Sequence, residues 1–406
     1  MLLLKMAFLN IWRHPKRSLM TILAAAVGIA AMIFLQSFLN TAVDEQRDNA
    51  IRLFTGHVQV QSPGFHDKLA PELILKDRSK VLALNQSSEV LFYSERILAE
   101  ALVGTSENSR GALLLGVDPD KEPQITEISH HVSKGKFLAS GDDKSILLGT
   151  KLAEKVGAGI GDKVVVMGQA MDGSLTGYSY RVQGILSAKN KQLDELTALV
   201  TLTAARKLLD IGDASHQVVF KLKGRTSIES FLEKVKASLP EAGYQTRTWD
   251  QIIPEINQWA KWEANIIHVV LLCMMIIVTF GVVNTILMSV HERTKELGIM
   301  LAIGTSPERI LKLIFLETLF LQLIGIAIGL LVGVSLVAYF GAAGIRFDGV
   351  DDAFAMSYMS AVTRPQLDLN NIFGTIACLL ATTSFLGLYP AWKASKTEPI
   401  KAIYHL

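Results

Sequence analysis

The sequence predicts an integral membrane protein with four transmembrane α-helices and a large α+β domain inserted between the first and second of them. Three observations lead to this fold class. Hydrophobic residues make up 50% of the chain and charged residues 19%, with a mean hydropathy of +0.33, which is more apolar than most soluble domains. These hydrophobic residues are concentrated in four long runs. Between the first two runs lie about 220 residues with mixed strand and helix patterns, enough for a compact core.

Residues 1–17 are predicted to form a cytoplasmic amphipathic helix that lies in the membrane interface. One helical face would carry four apolar side chains, those of Leu4, Phe8, Ile11 and Trp12. Lys5 and Arg13 fall outside that face, and Pro15 favours a break before the first apolar run. The alternative is that this segment extends the first transmembrane helix.

Each of the four apolar runs reaches the roughly 20 residues that a helix needs to cross the hydrocarbon core. The runs are Ser18–Leu39, Ile266–Met288, Leu313–Phe340 and Ile372–Ala391. We therefore place the transmembrane helices at residues 18–43, 265–288, 313–340 and 371–392. The first run is longer than the roughly 7–15 apolar residues of a signal peptide, so we expect it to stay in the protein.

Lysine and arginine residues near the helix ends predict the orientation of the chain. They precede the first helix and are frequent in the loop at residues 289–312 and in the tail at residues 393–406. The loop at residues 341–370 instead carries four aspartates against two arginines. Both termini and the 289–312 loop are therefore predicted to be cytoplasmic, with the domain at residues 44–264 on the opposite side.

The domain at residues 44–264 shows strand and helix periodicities in turn. GHVQVQ at Gly56–Gln61 and DKVVVMG at Asp162–Gly168 alternate as half-buried strands do. GTKLAEKVG at Gly149–Gly157 and SIESFLEKVKASL at Ser227–Leu239 have helical spacing. An exported α+β domain accounts for this mixture.

Motifs for catalysis, cofactors and metals are missing from the sequence. It contains no G-x-x-x-x-G-K-[ST] phosphate loop and no G-x-S-x-G elbow. GAGIGD at Gly157–Asp162 follows a helix and precedes a strand, the reverse of a dinucleotide-binding turn, so we interpret it as a tight turn. His291 and Glu292 begin an H-E-x-x-H pattern, but Lys295 replaces the second histidine. No catalytic residue and no metal site are predicted, and the formal charge of +2 argues against a nucleic-acid partner.

The most informative segment is the loop between the second and third helices. Its charges alternate in sign at Glu292, Arg293, Lys295 and Glu296. An apolar stretch between Gly298 and Gly304 follows, and Ser306 and Pro307 suit the N-cap and first position of the next helix. The pattern indicates a short charged helix at the cytoplasmic surface, with an ordinary basic loop as the alternative.

The motif ERTKELGIMLAIG at Glu292–Gly304 resembles the signature of the FtsX-like permease domain of MacB-type (type VII) ABC transporters. YPAWKASKTEPIKAI at Tyr389–Ile403 looks like the closing motif of that family, and Glu317 falls where the family often has a glutamate. LLLGVDPD at Leu113–Asp120 and ILLGTKLAEKVGAGIGDKVVVMG at Ile146–Gly168 are similar to its periplasmic core domain. In their order along the chain and in their residues, these segments look closest to the LolC/LolE lipoprotein-releasing branch.

The resemblance implies a multi-pass permease of the bacterial inner membrane with a periplasmic domain. ATP and Mg would bind to a partner ATPase, present in two copies, and not to this chain, which would have no cofactor of its own. The 289–312 loop would hold a coupling helix seated in a cleft of that ATPase. Four charged residues would fix its register: Glu292, Arg293, Lys295 and Glu296. Three apolar residues would fill the cleft: Leu297, Ile299 and Met300.

Glycines at every fourth position of the third helix allow a close approach of another helix. They are Gly325, Gly329 and Gly333, and the contact could lie within the chain or between two copies. The resemblance implies a second permease subunit, identical or homologous. Glu317 lies about one turn inside the membrane near its cytoplasmic end, so we expect a structural role for it.

A mechanical function is favoured because no polar stripe follows the first two helices and four helices are too few to enclose a wide pore. The function implied is the release of lipoproteins from the inner membrane, with a periplasmic chaperone or adaptor as a further partner. Acyl chains or membrane lipid would contact the outer ends of helices 1 and 2 at Ile33, Phe34, Phe38, Ile266, Val269 and Val270. The alternatives are a MacB-like efflux permease for small hydrophobic compounds or peptides and an FtsX-like signal transmitter.

Overall fold

The computed structural model describes residues 2–13, 15–188, 190–240, 243–347, 349 and 362–395. The described residues form two compact units. The helical unit is drawn from Met1–Val43, Lys261–Arg346 and Val362–Leu406, and the α+β unit from Asp44–Ala260 and Phe347–Ala361. Most of the tail predicted at 393–406 and part of the loop predicted at 341–370 therefore lie outside the described residues.

Long helices alternate along the described chain with shorter helices and strands. The helices are α1 (Leu2–Arg13), α2 (Pro15–Ala50), α3 (Phe65–Lys68), α4 (Arg78–Ala83), α5 (Glu122–Ile125), α6 (Thr150–Val156), α7 (Lys191–Leu196), α8 (Leu202–Leu209), α9 (Ile228–Ser238), α10 (Trp249–Ile252), α11 (Pro254–Glu292), α12 (Thr294–Ala302), α13 (Pro307–Ala343) and α14 (Leu369–Ser395). The strands are β1 (Val58–Gln61), β2 (Val90–Gly104), β3 (Ser109–Val117), β4 (Val132–Gly135), β5 (Ser145–Gly149), β6 (Lys163–Gln169), β7 (Leu175–Leu186), β8 (Thr197–Thr201), β9 (Gln217–Leu222), β10 (Gln245–Thr248), β11 (Ile345–Arg346) and β12 (Val362–Thr363).

Four helical segments of the described chain are long and apolar enough to cross a membrane, as the sequence predicted. They are Ser18–Thr55, Asn265–Glu292, Pro307–Ala343 and Leu369–Trp392. Two helices run beyond the predicted apolar spans: α2 continues to Ala50 and then as a π-helix over Ile51–Thr55, and α11 already begins at Pro254. The predicted fold class is therefore confirmed, with longer first and second helices than hydropathy indicates.

Helix α1 ends at Arg13, just before Pro15 begins α2, as the proline predicted. Of the four residues on its predicted apolar face, Leu4, Phe8 and Trp12 are exposed, as contact with lipid requires, whereas Ile11 is buried; the position of α1 in the membrane interface stays a prediction. Helix α1 packs on α13, and the Phe8 ring meets the ring of Phe320 edge-on with a centroid separation of 6.2 Å. Ile11 is thus buried in the helix packing, whereas Phe8 both contacts α13 and stays 47% exposed.

The α+β unit is built on a ten-stranded sheet in which six strands close on themselves. The hydrogen-bonded path runs β10-β1-β9-β2-β3-β8-β5-β7-β4, and β6 pairs with both β2 and β7. The strands β2, β3, β8, β5, β7 and β6 therefore form a closed ring, whereas β9, β1 and β10 extend the sheet from the first half of β2. The long strand β2 belongs to both parts, since it pairs with β9 up to Arg96 and with β6 from Ala101.

The interior of this ring is the largest apolar core of the described α+β unit. All six ring strands contribute buried side chains to it, and α6 and α8 add more. In β6 the burial alternates residue by residue, which places Val164 and Val166 inside the ring. A second core fills the space between the β9–β1–β10 extension and the helices α4 and α9, around Phe220 and Phe231.

The glycine-rich segment at residues 157–162 is a turn, as predicted. Gly157 has a φ of +70° and ends α6, and Gly161 has a φ of +90° just before β6. The Gly159 amide donates a hydrogen bond to Oδ2 of Asp162 at 2.8 Å. The turn therefore connects a helix to a strand, and the Asp162 side chain stabilises it by accepting this hydrogen bond.

Two histidines make the stability of the α+β unit depend on pH. His216 is fully buried, its Nδ1 accepts a hydrogen bond from the Leu98 amide at 3.2 Å, and burial lowers its pKa. Burial, followed by the charge of Lys221, lowers the pKa of His57 to about 4 from 6.5. The folded protein therefore disfavours the protonated rings, and stability present above pH 6.5 is lost as the pH falls from 6.5 towards 4.

We expect the full-length protein in detergent to lose stability between pH 7.5 and pH 5, with about 1–2 kcal/mol of the loss due to His57. The variant His57→Gln, whose amide can still accept a hydrogen bond, should show a shallower dependence of its unfolding temperature on pH. Identical slopes for the wild type and His57→Gln would contradict this assignment.

Candidate functional site

The segment predicted to couple to an ATPase folds into the short helix α12 between α11 and α13. Arg293 separates α11 from α12, and Gly304, with a φ of +94°, reverses the chain after α12. Pro307 then occupies the first turn of α13 after Ser306, as the sequence predicted. The result is a helix–turn–helix arrangement that displays α12 at one end of the helical unit.

Arg293 makes the central contact of this arrangement. Its side chain is only 10% exposed, and its Nη1 lies 3.0 Å and 2.9 Å from the two carboxylate oxygens of Glu317. Its Nε also donates to Oε2 of Glu296 at 3.3 Å. Glu317, whose side chain is 14% exposed, thereby gains the partner that its position near the membrane end requires. The pair ties the start of α12 to the first turns of α13.

A small cavity with both polar and apolar walls adjoins this ion pair inside the helical unit. Its volume is about 30 Å³, which is room for one or two water molecules. Besides Arg293 and Glu317, the polar residues around it are Asn10, Ser18, Thr21, Thr285, Ser289 and Thr318. These groups come from α1, α2, α11 and α13, so the ion pair lies where four helices meet.

The predicted coupling residues differ in solvent exposure: some are exposed, and others are buried between the helices. Glu292, Lys295, Glu296 and Ile299 are exposed. Arg293 and Leu297 are buried, the latter at 3% exposure, and Met300 packs against the same internal cluster. Positions 293, 297 and 300 share one helical face, and that face is turned towards α13 and α11.

Arg293 and Leu297 are buried within the chain and Met300 is half-buried, so the exposed members of the predicted set offer the larger contact surface. Which of the seven residues contact an ATPase stays a prediction. Ile303, which is outside the predicted set, is 77% exposed and lies one turn after Ile299. Its helical spacing from the predicted Ile299 could have identified it. We use the name outer face for Glu292, Lys295, Glu296, Ile299 and Ile303; its role in coupling stays a prediction.

The glycine row of α13 packs against α2 of the same chain. A Cβ atom on Gly329 would lie 2.7 Å from the Ala26 carbonyl oxygen and 2.9 Å from Cβ of Ile29. Gly325 and Gly333 approach Ala25 and Ile33 in the same way. Of the two alternatives left open by the sequence, the structure therefore shows the contact within the chain.

The six residues proposed to contact an acyl chain do not form one surface. Ile33 is fully buried against Gly333, and Phe34 packs with the ring of Phe340 at a centroid separation of 5.4 Å. Ile33 is therefore committed to helix packing, because the glycine row draws α2 onto α13, whereas Phe34 stays half-buried. Ile266 and Val269 are exposed on α11, and Phe38 and Val270 are half-buried.

Comparisons with known proteins agree with this architecture. The sequence model of the MacB-like periplasmic core domain matches residues 18–238, more than half of the chain, and that of the FtsX-like permease C-terminal domain matches residues 268–399. This protein belongs to the MacB/FtsX family of ABC transporter permeases. The second match includes α12, Glu317 and the glycine row, so the candidate site lies within the part that defines the permease.

Relatives of this type VII permease align with it over nearly its whole length. The lipoprotein-releasing system transmembrane protein LolC of Neisseria meningitidis is 23% identical, over 95% of this chain and 93% of LolC. The uncharacterized ABC transporter permease YvrN of Bacillus subtilis is 24% identical, over 98% of each chain. The macrolide export ATP-binding/permease protein MacB of Neisseria gonorrhoeae is 24% identical over 98% of this chain but only 60% of MacB.

Membership of the family establishes the type of protein to which this chain belongs. It is an ABC transporter permease, a type of subunit that works with an ATPase. Its four apolar helices make it a multi-pass membrane protein. The outer face of α12 and the ion pair of Arg293 are therefore features of a transport subunit.

Proposed function

We propose that this permease uses ATP hydrolysis by a cytoplasmic partner to move its α+β unit and thereby release lipoproteins from the inner membrane. The single observation that carries the cargo assignment is the alignment with LolC along nearly the full length of both chains. The helix bounds support the mechanical part, because α2 and α11 both extend past their apolar spans as continuous helices. Displacement at one end of such a helix is passed along its backbone hydrogen bonds.

The outer face of α12 is the surface we assign to the ATPase. It combines charges of both signs with two exposed isoleucines, as a partner-specific contact requires. In this arrangement two ATPase copies bind ATP and Mg, a second permease completes the complex, and both termini face the cytoplasm with the α+β unit in the periplasm.

The variant Glu296→Lys is expected to uncouple ATP hydrolysis from transport without unfolding the protein. The Glu296 side chain is 52% exposed, so the loss of its ion pair with Arg293 costs little, about 0–1 kcal/mol. The test measures ATP hydrolysis and cargo release by the reconstituted complex. Glu229→Lys, an equal charge change on α9 of the α+β unit, serves as the control and should behave as the wild type. Normal release per ATP by Glu296→Lys would remove α12 from the coupling route.

The membrane end of α11 is the surface we assign to the cargo. Ile266 and Val269 are exposed there, and Val270 is half-buried beside them. Acyl chains are as apolar as these side chains, so this surface can accept a lipid anchor from within the bilayer. On α2, the fully buried Ile33 no longer belongs to the proposed contact, whereas the half-buried Phe34 and Phe38 remain part of it.

The cargo is tested by mass spectrometry of material bound to the purified permease–ATPase complex, followed by reconstitution in proteoliposomes. We expect triacylated protein fragments to copurify, and a purified lipoprotein to leave the liposomes only with hydrolysable ATP. A periplasmic lipoprotein-binding chaperone supplied in the outer solution should accept the released protein. Release with a non-hydrolysable nucleotide would contradict the proposal.

Efflux of small hydrophobic compounds or peptides is the second candidate. It is favoured by the alignment of 98% of this chain with the macrolide export protein MacB at 24% identity, close to the value for LolC. Recovery of a small amphiphile instead of an acylated fragment from the same complex would select this function. An adaptor docked on the α+β unit would then replace the chaperone.

A further inference from the structure

The end of α2 is held in the α+β unit by a buried ion pair. Arg96 on β2 and Glu122 at the start of α5 have side chains that are 1% and 0% exposed. The Arg96 guanidinium donates to both oxygens of Glu122, from Nη2 at 2.5 Å and from Nε at 3.2 Å. Its Nη1 donates to the carbonyl oxygen of Phe54 at 2.5 Å, and its Cζ lies 5.5 Å from the centre of the Phe54 ring. One side chain therefore joins a strand, a short helix and the last turn that continues α2.

That last turn is the π-helix Ile51–Thr55, a geometry that is rare and often found at functional sites. The carbonyl groups at a helix end have no partner within the helix. Here the α+β unit supplies donors to three of these carbonyls. Arg96 donates to the Phe54 carbonyl, the Glu127 amide to the Arg52 carbonyl at 2.8 Å, and the Gln59 side chain to the Thr55 carbonyl at 2.8 Å. The end of α2 is thus bound through its backbone.

Arg96 occupies a particular position in the sheet. It pairs with Gln217 on β9 and with Val117 on β3, at the point where β2 passes from the sheet extension into the closed ring. The Arg96 carbonyl also accepts a hydrogen bond from the His216 amide at 3.2 Å. A displacement of the α2 end therefore reaches, through one side chain, the strand that both parts of the α+β unit share.

Stability alone gives no reason for a charged pair at this place. Apolar residues of similar size often replace a buried ion pair without loss, because both charges must be removed from water. A planar guanidinium instead fixes direction, since it holds two carboxylate oxygens and a carbonyl in one plane. Such a contact resists both rotation and translation of the helix end relative to the strand.

We propose that Arg96 and Glu122 are positioning residues that transmit the displacement of α2 to the sheet of the α+β unit. The proposal rests on the ATP-driven movement proposed above, but not on the identity of the cargo. Without the pair, the carbonyls of Arg52 and Thr55 would still hold the α2 end, but its direct link to β2 at the edge of the ring would be lost.

The experiment uses the full-length permease with its ATPase in lipid nanodiscs. Hydrogen–deuterium exchange is measured with and without ATP and vanadate for peptides from α2 (residues 44–55) and from β3 (residues 109–117). The test variant, Arg96→Met with Glu122→Leu, removes both charges so that neither is left buried alone. The control, Lys234→Met with Glu89→Leu, removes the more exposed ion pair of the same unit, in which the Lys234 side chain is 45% exposed.

We expect nucleotide to change exchange in both segments of the wild type and the control. In the test variant the change should persist in 44–55 and disappear in β3, and cargo release should fall to background while ATP hydrolysis continues. Should the double variant fail to assemble, Arg96→Lys is measured in the same way, because lysine keeps the charge but cannot hold Glu122 and the Phe54 carbonyl together.

A nucleotide response in β3 that survives in the variant, or that is missing from the wild type, overturns the proposal. A wrong cargo assignment would give a different result. The wild type would then release no lipoprotein, but nucleotide would still change hydrogen–deuterium exchange in both of its segments.

Discussion

Replacement of Arg293 by methionine is expected to destabilise the helical unit by about 3–5 kcal/mol, because it leaves the buried carboxylate of Glu317 without its guanidinium. In thermal unfolding of the full-length protein in detergent, this corresponds to a decrease of roughly 6–20 °C. The effect is large because both side chains are largely excluded from solvent and the pair joins the start of α12 to α13, beside the apolar packing of Leu297.

A second variant separates the ion pair from simple loss of packing. Arg293→Met combined with Glu317→Leu leaves no unpaired charge, so most of the lost stability should return. Lys151→Met, which removes one partner of an exposed ion pair with Glu154, is the control and should unfold within a few degrees of the wild type. If Arg293→Met unfolded at the wild-type temperature, the pair would not be buried between α12 and α13.

The double variant also tests the mechanism. Its helices should pack normally, but α12 would no longer be tied to α13 by a directional contact. We therefore expect ATP hydrolysis to continue and the amount of cargo released per ATP to fall. Arg293 would then act on coupling from inside the permease, whereas Glu296 acts at the surface that faces the ATPase.

Replacement of Gly329 by leucine is expected to separate α13 from α2. Even a methyl group at this position would lie 2.7 Å from the Ala26 carbonyl oxygen, and a backbone carbonyl cannot move aside as a flexible side chain can. Overpacking of this kind costs about 1–3 kcal/mol, or roughly 2–12 °C in unfolding temperature. Lower yield of folded protein in the membrane should accompany it, as measured by size-exclusion chromatography of the solubilised protein.

Gly374→Leu provides the matched control for this prediction. Gly374 lies on α14, is exposed, and has no atom within 4 Å of the position that a Cβ would take. The same substitution there should change the unfolding temperature little. Equal effects at both positions would show that leucine disturbs these helices generally, and the close contact of α13 with α2 would then be unsupported.

The sequence by itself determined the elements whose patterns are local. Length and hydropathy fixed the four spanning helices, and strict alternation identified strands such as β6. Strands β5 and β8 showed no such signal, because every residue in them is buried and a strand covered on both faces does not alternate. The family motif likewise located α12, since it is a continuous stretch of sequence.

Only the tertiary structure decided which residues meet. Closure of the sheet depends on β6 pairing with both β2 and β7, and the glycine row could have faced a second copy as well as α2. Arg293 joins Glu317 across 24 positions, and Arg96 reaches the Phe54 carbonyl across 42. Periodicity reports which face of an element is apolar, but the partner of a buried charge is set by packing between distant segments, so these contacts could not be obtained from the sequence alone.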